Sequence, residues 1–149
     1  MSNNRVENLV IEDAKLMFRN FAGRETKFNR EGKKTFCVVI NPEDVDNLRA
    51  IGWNVKELEP RTPDEDPRYY LQVQAKFDNI PPKVTLITSR AKTPLDEESI
   101  GSLDYAEIRT ADVILSPYHW EWGGKTGITA YLKTMYVTIE EDEFAAKYE

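Results

Sequence analysis

The sequence contains a single cysteine, Cys37, and a single histidine, His119, among 149 residues. One cysteine excludes a disulfide within the chain, and one histidine with one cysteine cannot supply a zinc site of ordinary spacing. A hydrolytic triad would depend entirely on His119. Cys37 lies in the apolar run FCVVI, which predicts a small buried hydrophobic residue. This scarcity predicts a protein that is not an enzyme and that needs neither metal nor cofactor.

Long hydrophobic runs are also missing. The first residues, MSNNRVENLV, lack the apolar centre of a signal peptide, and no segment approaches the roughly 18 apolar residues of a membrane helix. We therefore expect no membrane association and a reducing cytoplasm, that of a bacterial host if the protein is viral. No repeat of solenoid length is visible, and 149 residues suit one domain.

Two motifs resemble catalytic ones without completing them. The sequence GGKT at 123–126 is similar to the end of a phosphate-binding loop, but His119 occupies a required glycine position and the following residues are typical of a strand. The acidic runs PDED and LDEES could hold magnesium, although such runs are more often solvated loops. Neither motif favours catalysis.

Alternation of apolar and polar residues with period two dominates the chain, which predicts a mainly β domain. A sheet of this kind removes its exposed edges by closing into a barrel. One helix is expected from Asn41 to Gly52, with Asn41 as cap and Pro42 in the first turn, and a second short one after Pro94. The predicted strands are AKLMFRNF (14–21), KTFCVVI (34–40), YYLQVQAKF (69–77), PPKVTLITS, AEIRTADVILSPY and two runs that form a hairpin around Gly123 and Gly124.

The segment 15–36 differs from the rest of the chain in charge. It holds seven cationic side chains against two acidic ones, a balance of +5 in a chain of net charge −6. Alternation in its first strand predicts Leu16 and Phe18 in the core, with Lys15, Arg19 and Phe21 on the surface. Cations beside flat rings suit a nucleic-acid strand. The alternative is that the cations merely solvate a hairpin whose base is closed by Phe21 and Phe28.

Two further strands repeat a polar and aromatic face, which favours the binding interpretation. Tyr70, Gln72 and Lys76 share one side of strand 69–77, opposite Leu71 and Val73. Thr129, Tyr131 and Lys133 do the same in the last strand. In the hairpin, Tyr118, Trp120 and Trp122 lie on one side. At least one of these tryptophans is expected to be buried, while the exposed rings stack on bases.

These stretches resemble the OB-fold single-stranded DNA-binding proteins of bacteriophages and prophages. The resemblance rests on FRNFAGRETKFNREGKKTFCVVI, YYLQVQAKF and ADVILSPYHWEWGGKTGITAYLKTMYV, and it spans most of residues 6–139. It implies an OB-fold-like Greek-key barrel with one or two short helices and long hairpin loops, which binds single strands with little sequence preference. It also implies an acidic tail, here 140–149, that recruits replication or recombination proteins, although FAAKYE departs from the usual acidic-then-hydrophobic end.

The sequence thus predicts one binding domain at 1–139, a tail at 140–149, single-stranded DNA as partner in phage replication or recombination, and compatibility with a homo-oligomer. The alternative is an acidic virion component or DNA mimic that binds no nucleic acid, favoured by the net charge of −6. The predicted nucleic-acid-binding residues are Lys15, Arg19, Phe21, Arg24, Lys27, Phe28, Arg30, Lys33, Lys34, Tyr70, Gln72, Lys76, Trp120, Trp122, Lys125, Tyr131 and Lys133.

Overall fold

The computed structural model describes residues 6–27, 29–78 and 80–140, and most of them lie in β-strands, as the sequence predicts. The predicted Phe28 and the tail beyond Glu140 lie outside the described residues. One α-helix and one 3-10 helix, Ile100–Asp104, accompany the strands. The elements are β1 (Leu9–Ile11), β2 (Leu16–Asn20), β3 (Lys34–Ile40), α1 (Pro42–Ile51), β4 (Lys56–Leu58), β5 (Arg68–Ala75), β6 (Lys83–Ile87), β7 (Lys92–Leu95), β8 (Ile108–Trp122) and β9 (Lys125–Ile139).

The strands form one sheet in the order β1-β8-β9-β5-β3-β2, with β4 paired to β5, β6 to β9 and β7 to β6. Pairings are antiparallel except for β5 with β9 and β6 with β9. The ladder stays open between its two ends, β1 and β2. These ends are consecutive in the chain, and the corner between them contacts both neighbours: Ala14 N donates to Ala111 O, and Val39 N donates to Lys15 O. The sheet therefore curls around on itself through the covalent chain. The mainly β fold is confirmed, but the predicted closure of its ladder into a barrel is not found in the described part of the chain.

A β-bulge in β2 overturns the predicted faces of the first strand. Met17 pairs with Cys37 and Asn20 with Thr35, so the register shifts between them, where Phe18 has a φ of 50°. Phe18 is 60% exposed, whereas Phe21 is fully buried against Phe36 with ring centroids 4.8 Å apart. The predictions of a buried Phe18 and an exposed Phe21 were both wrong, because a bulge exchanges the inward and outward positions that follow it.

The remaining secondary structure follows the sequence more closely. Helix α1 has Pro42 in its first turn and ends at Gly52, with Val45 and Leu48 buried and Ile51 exposed. Asn41 makes no side-chain cap bond; its carbonyl oxygen instead accepts from Asp44 N. The second helix after Pro94 is the short 3-10 helix. The predicted hairpin is confirmed as two strands of 15 residues, and Gly123 and Gly124 at its turn have φ values of 58° and 80°.

The core lies inside the curled sheet and is built from side chains such as Phe21, Phe36, Leu71, Leu115 and Met135. Cys37 is buried as predicted, although it lies on the opposite face of β3 from Phe36 and Val38. Burial raises the pKa of the Cys37 thiol to about 11, against a smaller lowering by the charge of Lys56. The thiol therefore stays protonated at neutral pH. Among the described residues, no helix is long and apolar enough to cross a membrane.

Candidate nucleic-acid interface

The outer face of β5 carries the polar side chains that the alternation predicts. Leu71, Val73 and Ala75 are buried on the inner side, while Gln72 and Lys76 are exposed on the outer side. Tyr70 and Gln74 share this outer side and are half-buried. Six residues of extended chain span roughly 20 Å. The face from Tyr70 to Lys76 is thus long enough for several nucleotides or a short peptide.

Three adjoining grooves run over and beside this face. The central groove has a volume of about 370 Å³ and lies between β5 and the β8–β9 hairpin. The basic groove, of about 450 Å³, adjoins the loop after β2. The hairpin groove, of about 540 Å³, lies beside β9. Lys33 and Gln74 line both the central and the basic groove, and Lys76 and Asp78 line both the basic and the hairpin groove. The three grooves therefore adjoin one another through shared lining residues, and together they are called the track.

Local charge distinguishes this track from a cavity of similar size between β1 and α1. Each of the three grooves has one more cationic than acidic side chain in its lining; the basic groove has Arg30, Lys33, Lys34 and Lys76 against Glu31, Asp78 and Glu97. The cavity of about 540 Å³ between β1 and α1 has the opposite balance, with three carboxylates against Lys15 alone. An anionic strand is attracted to the track and repelled by that cavity.

Hydrogen bonds join the two described sides of the loop after β2, residues 21–27 and 29–33. Asn29 Nδ2 lies 2.8 to 3.2 Å from the carbonyl oxygens of Arg24, Arg30 and Lys33, and Gly32 N donates to Gly23 O at 2.8 Å. Gly23 has a φ of 71°, and a side chain there would approach Gly32 to 3.1 Å. The backbone that carries the cations of the basic groove is therefore ordered before any ligand arrives, so binding does not have to order it.

Two cations that were predicted to bind nucleic acid instead stabilise the base of this loop. Arg19 Nη1 donates to the carbonyl oxygens of Leu103 and Ala106, both at 2.7 Å. Arg24 forms a 3.8 Å ion pair with the buried carboxylate of Asp104 and donates to the Tyr105 hydroxyl. Asp104 also accepts from the backbone N–H groups of Phe21 and Ala22. Arg19 and Arg24 thus lie outside the three grooves and hold the loop against the 3-10 helix.

Aromatic rings of the hairpin project into solvent. Trp122 is 83% exposed, Tyr118 is 56% exposed and Trp120 is 40% exposed. Tyr118 contacts Tyr131 edge-to-face with ring centroids 5.7 Å apart, and both line the hairpin groove. The tryptophan that is buried is Trp53, at the end of α1, so the prediction of a buried hairpin tryptophan was wrong. Exposed rings beside cations can stack on bases.

The structure brings together about half of the predicted residues. Lys15 lines the acidic cavity, Lys27 and Lys125 are exposed outside the grooves, and Tyr70 continues the outer face of β5 beyond Gln72. The predicted site residues omit Thr35, Gln74 and Tyr118, which line the track, although the alternation had already placed Tyr118 on the ring face of the hairpin. The predicted residues that line the track are Arg30, Lys33, Lys34, Gln72, Lys76, Trp120, Tyr131 and Lys133.

Solved structures with a similar fold include three of the single-stranded DNA-binding protein from bacteriophage Enc34. Its single-stranded DNA-binding protein with a C-terminal truncation is 10% identical, with a TM-score of 0.57, and the match covers 91% of this chain and 87% of that one. The structure of that protein in complex with ssDNA is also 10% identical, with a TM-score of 0.57 and coverage of 92% and 89%. The form described without truncation or ligand is 9% identical, with a TM-score of 0.56 and coverage of 95% and 90%.

Identity near 10% establishes the fold alone, which is that of a phage single-stranded DNA-binding protein. Among curated protein sequences, none matches this chain. A family profile does match, and it covers residues 1–149, from the first residue of the sequence to the last. The chain therefore belongs to the phage ssDNA-binding domain family.

Proposed function

We propose that this protein binds single-stranded DNA, without catalysis and without sequence preference, along the three grooves. The observation that carries the proposal is the track, in which cations such as Lys33 and Lys133 lie in the same grooves as the rings of Trp120 and Tyr131, inside a protein of negative net charge. Membership of the family supports it, as does the similar fold of the Enc34 protein in complex with ssDNA.

The chemistry of the track accounts for a preference for single strands over duplex. Lys33, Lys34 and Lys76 neutralise phosphates and release counterions, which favours any nucleic acid. Trp120 and Tyr131 offer ring faces on which bases stack, and only a single strand exposes its base faces. Stacking and phosphate contacts do not depend on which base is present, so little sequence specificity results.

The biological setting is part of the same proposal. A protein that coats single strands serves phage DNA replication or recombination in the cytoplasm of the bacterial host. Residues 1–139 form the binding domain, and the acidic residues 140–149 recruit partner proteins of replication or recombination. Removal of residues 140–149 is therefore expected to abolish partner capture while leaving the described grooves in place.

The test is a titration of a labelled poly-thymidine oligonucleotide, followed by fluorescence anisotropy, in parallel with a duplex of matched length. Saturable binding that favours the single strand and weakens with salt supports the proposal. An acidic structural protein or a DNA mimic would bind neither ligand at low salt. Equal affinity for the single strand and the duplex would show that bases do not stack on the rings. Binding would then depend on phosphate contacts alone.

Replacement of Gly127 by alanine is expected to displace Trp120 and weaken binding. A Cβ atom at Gly127 would lie 2.5 Å from Trp120 Cζ2, so the indole ring must leave the position that it holds in the lining of the central groove. The expected loss is about 1 kcal/mol, the lower end of the range for one stacked base, or about fivefold in Kd. Anisotropy measures the affinity, and a change in tryptophan emission reports the displacement.

The control for this variant is Thr126→Ala, one residue earlier on the exposed part of β9. It removes a side chain without touching the indole ring, so Kd and emission should match the parent protein. If Gly127→Ala shifts the emission but leaves Kd unchanged, Trp120 does not contribute to the bound complex.

A further inference from the structure

Phe18 adopts a conformation that is unfavourable in the free protein on two counts. Its φ of 50° is in the left-handed region, which is an outlier for a bulky side chain. Its ring is 60% exposed, so burial does not offset the backbone strain. Within the described part of the chain, the other non-glycine residue with a positive φ is Asp13, which is of a type that tolerates the left-handed region. Local strain of this sort is characteristic of functional positions.

The bulge at Phe18 directs its ring toward the outer face of β5. The rings of Phe18 and Tyr70 contact each other edge-to-face with centroids 6.0 Å apart, although β3 lies between their strands. Tyr70 precedes Gln72 on the face that continues into the central groove. A bulge that re-aims a side chain beside a site is a recurrent feature of β-proteins.

Cations accompany this ring pair as they accompany the rings of the grooves. Lys56 is paired in register with Tyr70, and its Nζ donates to Gln72 Oε1 at 3.2 Å. Arg68 is exposed two residues before Tyr70, on the same side of β5 by alternation. Rings with adjacent cations are the composition that a single strand requires.

We propose that Phe18 and Tyr70 form a base-stacking platform that extends the DNA track beyond the central groove, toward the start of β5. This inference rests on the proposed function. An edge-to-face pair leaves ring surface uncovered, and a base from the bound strand covers it. Lys56 and Arg68 contact the flanking phosphates. The strand then runs from the basic groove along β5 to this platform.

Phe18→Gly is the decisive variant because it is expected to change stability and affinity in opposite directions. Glycine adopts positive φ without strain, so the Tm should stay equal or rise. Affinity for a poly-thymidine oligonucleotide should fall by about 5-fold to 100-fold through the lost stacking. Phe18→Trp should retain the affinity of the parent protein. Kd is measured by anisotropy at a temperature at which circular dichroism shows each variant to be folded.

The matched control is Tyr136→Ala, which removes an exposed ring outside the three grooves and the platform. Its Kd should equal that of the parent protein. If the Kd of Phe18→Gly is within twofold of that of the parent protein, the platform is refuted, whatever the Tm of the variant. The proposed function stands in that case, because the parent protein still binds the oligonucleotide. If the parent itself does not bind, the proposed function fails first.

Discussion

Combined replacement of Arg30, Lys33 and Lys34 by alanine is expected to weaken binding of single-stranded DNA by about 100-fold at 0.1 M salt. Each phosphate contact contributes about 0.7 to the slope of log K against log salt concentration, so three contacts contribute about 2. Over the tenfold range from 1 M to 0.1 M salt, a slope of about 2 corresponds to about a 100-fold change in the binding constant. The slope itself should become shallower by the same amount. All three side chains line the basic groove.

The control for this triple variant removes the same charge elsewhere. Arg61, Lys92 and Arg109 are exposed and line none of the three grooves. Their combined replacement by alanine lowers net charge equally and should change the slope little. If the Kd for single-stranded DNA rises by the same factor in both triple variants, the attraction of DNA depends on total charge. The basic groove is then not a specific contact site.

Trp120→Ala is expected to weaken binding by about 1 to 3 kcal/mol, or about 5-fold to 150-fold in Kd, because one base loses its stacking partner. Trp120 lines the central groove, where its ring lies against Gly127. The Tm should fall moderately while the protein stays folded, since the side chain is 40% exposed and the rest of its surface is covered. Titration by anisotropy gives the affinity, and thermal unfolding gives the stability.

Tyr136→Ala again supplies the comparison, as an exposed ring of β9 outside the grooves. It should bind as the parent protein does. An unchanged Kd for Trp120→Ala would show that the bound strand does not enter the central groove. A large fall in Tm would instead identify Trp120 as a structural residue.

Much of the fold could be predicted because the local preferences of the residues for turns, helix ends and strand faces match the structure. Helix α1 combines Pro42 in its first turn with Gly52 at its end, so its bounds were visible. The hairpin turn was visible because adjacent glycines at 123 and 124 accept the positive φ it requires. The faces of β5 followed from strict alternation, since no bulge interrupts that strand. The polar centre of the track was predicted for the same reason.

The errors have a common physical cause in long-range contacts. A bulge is decided by how β2 pairs with β3, and the residue types of β2 give no sign of it. Arg19 and Arg24 are cations like Lys33, but they contact Leu103 and Asp104 more than 75 positions away in the chain. The charge of the segment therefore indicated where the basic loop lies. Only the structure separates the cations that line a groove from those that attach the loop to the 3-10 helix.

The negative net charge of −6 does not oppose this account. Exposed charges are screened beyond roughly 10 Å at 0.1 M salt, so a bound phosphate responds chiefly to nearby side chains. Cations exceed acids in each groove, whereas acids exceed cations in the cavity beside α1. This separation on one surface also disfavours a DNA mimic, which needs an acidic surface without a basic track.

Photochemical crosslinking tests the location of the bound strand most directly. A poly-thymidine oligonucleotide in which thymidine is replaced by 5-bromodeoxyuridine is irradiated in the complex, and mass spectrometry identifies the modified peptides. The account predicts crosslinks at the rings along the track, namely Phe18, Tyr70, Tyr118, Trp120 and Tyr131. Crosslinks confined to β6, β7, α1 or the acidic cavity beside β1 would contradict it.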